Sequence, residues 1–156
     1  MNFKSKLQKI QRPDWTKNQF RDFNKLWLDK NENSDKLLAK ETKRLFNRVS
    51  KTAIFSYPDL SVLYYKLAKN LKLNPKNLLL TAGSDAGIKT VFETFVKEGD
   101  VVLRTNPTFA MYSVYSKIFN VKEVLLNYEK TKQGPKIKLE KILEIILLKK
   151  PKLICL

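Results

Sequence analysis

The chain has 156 residues, room for one domain that buries about 70% of the surface its unfolded form exposes. Apolar residues make up 43%, and six Pro with four Gly exclude collagen-like, linker and disordered compositions. Thirty-one Lys and Arg face 15 Asp and Glu, a net +16, but they form no block of five or six and accompany no aromatic-rich RNA-binding motif, so no specific nucleic-acid partner is expected.

Residues 1–34 are polar and irregular, with Trp15, Phe20, Phe23 and Trp27 set among charges, and read as an arm that packs on another domain or subunit, or, for about the first 12 residues, equally as a mobile tail. Ser34 or Asp35 is placed to cap a helix running to about Val49, with Leu37, Leu38, Leu45 and Phe46 on its apolar side. Residues 50–59 break that pattern. A second amphipathic helix starts at Asp59 or Ser61, where Leu60, Leu63, Tyr64, Leu67 and Leu71 recur at helical spacing, and Leu73-Asn74-Pro75 stops it.

From there the chain alternates. Leu78–Thr81, Val101–Leu103, Val121–Leu126 and Lys152–Leu156 read as strands. Asp85–Val96, Thr108–Phe119 and Leu139–Lys149 read as helices, and Lys130–Lys136 as a polar loop. The expected fold class is α/β, with a mostly parallel sheet and helices on both faces. Residues 1–50 form an N-terminal arm and helix, and residues 51–156 the first part of a larger domain. The last strand would leave an apolar edge unpaired, so the isolated chain is expected to be poorly soluble or oligomeric.

Ligands of such sheets collect at the C-terminal ends of the strands. Thr81-Ala82-Gly83-Ser84-Asp85 lies there, ahead of a helix. Gly83 permits a sharp turn, and the N–H groups near Ser84, Asp85 and Ala86 suit a phosphate. Equally, Ser84 or Asp85 can simply cap the helix. The next strand leads into Asn106-Pro107-Thr108-Phe109, where Phe109 either covers a planar ligand or packs in the core. There is no His, and Cys155 is the one Cys, so neither a zinc site nor an internal disulfide is available. No signal-peptide core and no run of about 18 apolar residues occurs, which points to the cytoplasm with no membrane partner.

Five segments carry a resemblance. Leu28-Asp29-Lys30-Asn31-Glu32-Asn33 is similar to L-N-x-N-E-N-P, Tyr57-Pro58-Asp59 to Y-P-D, and Gly83-Ser84-Asp85 to G-S-D-E. Glu98-Gly99-Asp100-Val101-Val102 is similar to P-G-D-x-V, and Pro107 to Tyr112 to P-T-[FY]-x-M-Y. In this order they resemble the fold-type I pyridoxal-phosphate-dependent aminotransferases, in the histidinol-phosphate aminotransferase branch. The resemblance implies the front part of the large domain of that transferase fold, a pyridoxal 5'-phosphate cofactor, a small-molecule amino donor and acceptor, and a homodimer. It implies that Gly83, Ser84 and Asp85 hold the phosphate, that Phe109 stacks on the pyridine ring, and that Tyr57 reaches the phosphate of the other subunit. Asn31 would lie on the substrate side.

The departures are Asp29 for Asn, Ser34 for Pro and Ala86 for Glu. The family's N-P-x-N-P-T-G segment, its ring-pairing aspartate and its Schiff-base lysine have no match in these residues. No catalytic residue is therefore nominated, and the chain is expected to be inactive alone. A related pyridoxal-phosphate lyase or decarboxylase shares the same front motifs. A basic nucleic-acid-binding domain, or a remnant completed by another chain, are the other readings.

Overall fold

The computed structural model describes residues 22, 24–26, 32, 33 and 35–156. Most of the expected N-terminal arm, Asn31 included, lies outside the described residues. Contacts divide the chain into two units, with the boundary between Leu79 and Leu80.

The first unit is helical. In α1 (Lys36–Phe46), the Asp35 carboxylate caps the start by accepting from the Leu37 N–H at 2.8 Å, and Lys43 and Arg44 offset the dipole at the other end. The expected continuation to Val49 unwinds instead. Arg48 and Val49 donate to carbonyls three residues back, and Ser50 then caps a new short helix, α2 (Lys51–Phe55). Residues 50–59 are thus not a plain break, because the Ser50 hydroxyl accepts from the Ala53 N–H at 3.2 Å. In α3 (Ser61–Leu71) the entry is held by Asp59, which accepts from both the backbone and the hydroxyl of Ser61; these two bonds keep its carboxyl below the ordinary range. Lys72 ends α3 in the left-handed region, φ 56, while Leu73 donates to Ala68 and Lys72 to Lys69. That pair of bonds is a Schellman closure, usually built on glycine. Asn74 then caps a single 3-10 turn at Pro75–Asn77.

The second unit carries the sheet. Leu78–Thr81, read as a strand, belongs to no ladder. Leu78, at the end of the helical unit, is extended (φ −115, ψ 141), but residues 78–81 pair in neither sheet of the described residues. After α4 (Gly83–Phe95) come β1 (Val101–Asn106), α5 (Ala110–Ile118) and β2 (Lys122–Asn127). The expected polar loop at 130–136 is a hairpin. β3 (Glu129–Thr131) pairs antiparallel with β4 (Gly134–Lys136), with Gly134 at φ 107 and the Thr131 hydroxyl donating to its carbonyl at 2.7 Å. Then follow α6 (Leu139–Lys149) and β5 (Leu153–Cys155).

The main sheet is parallel, in the order β2-β1-β5, so β1 is central. Side chains alternate along β1. Val102 joins a core of Phe92 and Val96 from α4, Met111, Val114 and Tyr115 from α5, and Cys155 from β5. Leu103 and Thr105 point to the opposite face and are buried as well, as is Leu126 of β2. Their burial fits the connections. α5 links β1 to β2, α6 links β2 back across β1 to β5, and two right-handed crossovers in opposite directions put their helices on opposite faces. Among the described residues no helix is long and apolar enough to cross a membrane.

Candidate functional site

The site is built on the turn into α4. Ala82 has φ −72 and ψ 71, and the Gly83 N–H donates to the Thr81 carbonyl at 2.8 Å, which together make an inverse γ-turn. The Thr81 hydroxyl donates to the Gly83 carbonyl at 2.9 Å and locks the turn from the other side. Gly83 sits at φ +78 with open space where a Cβ would stand. Glycine is needed there for its backbone conformation, and the approach to the helix start is clear.

The two sequence alternatives for Ser84 and Asp85 now separate. The N-cap is Ala82, and no side chain caps this helix. Ser84 and Asp85 are inside the first turn, where an α-helix provides no acceptor for its own N–H groups. Ser84 is exposed. The Asp85 carboxylate is turned to α5, where Oδ1 accepts from the Tyr115 hydroxyl at 2.7 Å. Asp85 can therefore offer an anion its N–H, while its side chain is held by Tyr115. Sequence reasoning passed over Tyr115. A tyrosine on the apolar stripe of α5 carries a polar tip that needs a partner when the ring is buried, and that was the available signal.

β1 ends at Asn106, whose amide donates to Asn127 at the end of β2 at 2.9 Å. Phe109 is the N-cap residue of α5, in extended conformation and half exposed, with its ring edge-on to Tyr112 at 6.5 Å. It is not a core residue, and its exposed face remains available to a flat ligand. Gly83, Ser84 and Asp85 thus share one turn, and the Tyr115 bond ties that turn to the helix Phe109 begins. Tyr57 is in the other unit, fully exposed in the segment after α2. Asn31 lies outside the described residues.

Three further features belong to the sheet unit. Arg104 of β1 is buried and pairs with Glu123 of β2 at 2.5 Å. Cys155 is opposite Arg104 in the sheet register; burial pushes its thiol up, against a smaller downward pull from Arg104. A cleft of about 370 Å³ opens between α4 and β5, lined by Gly87, Ile88, Val91 and the 153–156 strand, and does not include Gly83, Ser84, Asp85 or Phe109.

The family model for aminotransferase class I and II matches residues 23–156. A histidinol-phosphate aminotransferase from Caldanaerobacter subterraneus subsp. tengcongensis is 34% identical over 131 residues, 83% of this chain and 36% of that protein. Another, from Methanocaldococcus jannaschii, is 32% identical over 120 residues, 76% of this chain and 32% of that one. The solved histidinol-phosphate aminotransferase of Sinorhizobium meliloti in complex with pyridoxal-5'-phosphate superposes with a TM-score of 0.58 at 18% identity, covering 76% of this chain and 30% of that chain. That likeness shows the fold. The chain spans about a third of the length of these relatives.

Proposed function

We propose a cofactor-binding role for this chain, which belongs to the aminotransferase class I and II family. Ser84 and Asp85 hold the phosphate of pyridoxal 5'-phosphate through their first-turn N–H groups, with the Ser84 hydroxyl as a further donor, and Gly83 supplies the turn that lets the phosphate approach. Phe109 covers the ring. The complete enzyme transfers an amino group between an amino acid and a 2-oxo acid or phosphorylated carbonyl partner, as a cytoplasmic homodimer similar to the histidinol-phosphate aminotransferases. Tyr57 reaches the phosphate of the partner subunit, and Asn31 lines the substrate side.

The observation that carries this reading is the uncapped start of α4 behind Gly83 at φ +78, at the segment that resembles the family's G-S-D-E. A helix start with no side-chain cap leaves oriented donors and the positive end of the dipole for an anion. The open space at Gly83 lets a phosphate approach the backbone. Bound there, the cofactor supplies an aldehyde that takes up the amino group and a ring that draws electrons away from it. The residues of this chain bind and orient: the α4 turn fixes the phosphate, and the Phe109 face excludes water from one side of the ring.

Calorimetric titration of the chain with pyridoxamine 5'-phosphate and with unphosphorylated pyridoxamine tests the reading. The phosphate ester should bind preferentially, and Gly83→Val should remove the preference, since a β-branched residue is strained at positive φ. Equal binding of the two compounds would refute the phosphate site.

A further inference from the structure

We infer that Tyr115 is a positioning residue for the anion site: its hydroxyl holds the Asp85 carboxylate away from the N–H groups that receive the phosphate. The inference rests on the phosphate reading of the α4 turn and adds a residue outside that turn.

Asp85 is the third residue of α4. A carboxylate there feels the positive end of its own helix, and an acidic side chain at this position can reach back to the N-cap N–H as a reciprocal cap. Turned that way, it would place a negative charge beside a dianion, a costly arrangement at short range. The observed carboxylate does something else. It points to α5 and accepts from the Tyr115 hydroxyl at 2.7 Å. The donor is fixed from behind. Tyr115 is 6% exposed, belongs to the core cluster, and has its ring centroid 6.0 Å from that of Phe92. Packing therefore sets where the hydroxyl sits, and a neutral donor engages Asp85 without adding a cation that would itself draw the phosphate aside.

The test uses the 156-residue chain, pyridoxamine 5'-phosphate as probe and unphosphorylated pyridoxamine as reference, with folding of each variant checked by circular dichroism. Tyr115→Phe keeps the ring and removes the hydroxyl. It should weaken the phosphate ester about tenfold, the scale of losing one hydrogen bond to a charged group, and leave the reference compound unchanged. Tyr115→Phe/Asp85→Ala should bind the ester more tightly than Tyr115→Phe and as tightly as Asp85→Ala alone, because the freed carboxylate is then absent. This rescue distinguishes positioning from simple support of the fold, which removing a second side chain would not restore. Should Tyr115→Phe fail to fold, Asp85→Glu replaces it. The longer acid reaches the N-cap N–H past Tyr115 and should weaken the ester similarly.

Parent-like binding by Tyr115→Phe or its replacement, a double variant as weak as Tyr115→Phe, or an equal loss for both compounds each overturns the inference and leaves the phosphate site intact. A parent chain that does not prefer the phosphate ester overturns the site and this inference together.

Discussion

The two units use similar sequence patterns to opposite ends. Both contain amphipathic helices, yet nearly all the buried residues belong to the sheet unit, mostly in β1, α4 and α5, while its α6 has none. Phe92, Val102, Leu103 and Leu126 are completely inaccessible there. In the helical unit Ala68 is the one buried residue described, while Leu37, Phe46, Ile54 and Phe55 are each more than 70% exposed. A helix's apolar stripe states that something covers it and does not state what. Around β1 the sheet unit supplies that cover through non-local pairing, whereas the helical unit and α6 present apolar residues outward, the pattern of a surface made to meet another surface.

The sharpest way to break this contrast is to truncate one phenylalanine in each unit. Phe92→Ala should cost about 3–5 kcal/mol, the range for deleting a ring from a packed core. Phe55→Ala should change stability by no more than about 0.5 kcal/mol. Urea unfolding of the chain followed by circular dichroism measures both. Comparable losses would mean that Phe55 is buried in solution, and the distinction between the units would fall.

A second pair of changes applies the same comparison to charge. Arg104–Glu123 lies within the sheet at 2.5 Å, with the side chains 10% and 25% exposed, and Arg44–Glu41 lies on α1 at 2.9 Å, both more than half exposed. Glu123→Gln strands a buried guanidinium and should cost about 2 kcal/mol, below the range for a fully buried pair because Glu123 keeps some solvent. Replacing both partners, as Arg104→Met/Glu123→Leu, should recover most of that loss. Glu41→Gln should cost no more than about 0.5 kcal/mol. The same denaturation series reads all three, and a Glu123→Gln chain as stable as its parent would show that the sheet pair is solvated.

The contrast also explains what was legible in the sequence. α6 is expected at Leu139–Lys149 and forms there without a side-chain N-cap, because the hydrophobic period is a local fact. The parallel α/β class followed from alternation. Pairing did not follow: Leu78–Thr81 has strand composition and no ladder, and residues 130–136 have loop composition and form a hairpin around Gly134. A strand is a property of two segments, and composition describes one. The α4 turn was similarly legible in part. Gly83 announced the backbone conformation, but only the structure separates a capped helix start from an open one. The Asp85–Tyr115 bond spans 30 residues of sequence: Tyr115 on an apolar stripe signals a hydroxyl that needs a partner, but not which residue supplies it.

The smallest expected effect concerns a single proton. Cys155 is buried on the α4/α5 face of the sheet, and burial raises its thiol above the ordinary value of 9.0, with Arg104 opposing more weakly. The sign follows from which state holds the proton. Below 9.0 the thiol is protonated in both folded and unfolded chains and its burial is fully stabilising. As pH rises past that value the unfolded chain releases the proton first, and stability falls until the pH passes the raised folded value. Lysines also begin to titrate in this range, so the parent must be compared with Cys155→Ala at each pH, and the difference between the two melting temperatures should shrink as alkalinity increases. Asp59, exposed in the helical unit and held low by Ser61, gives the opposite dependence. Its contribution is present above the ordinary carboxylate range and is lost as pH falls. Acid should therefore loosen the entry to α3, and alkali the core around Cys155. A Cys155 difference that stays constant with pH would mean that the thiol is solvated, and would remove it from the list of features that set the sheet unit apart.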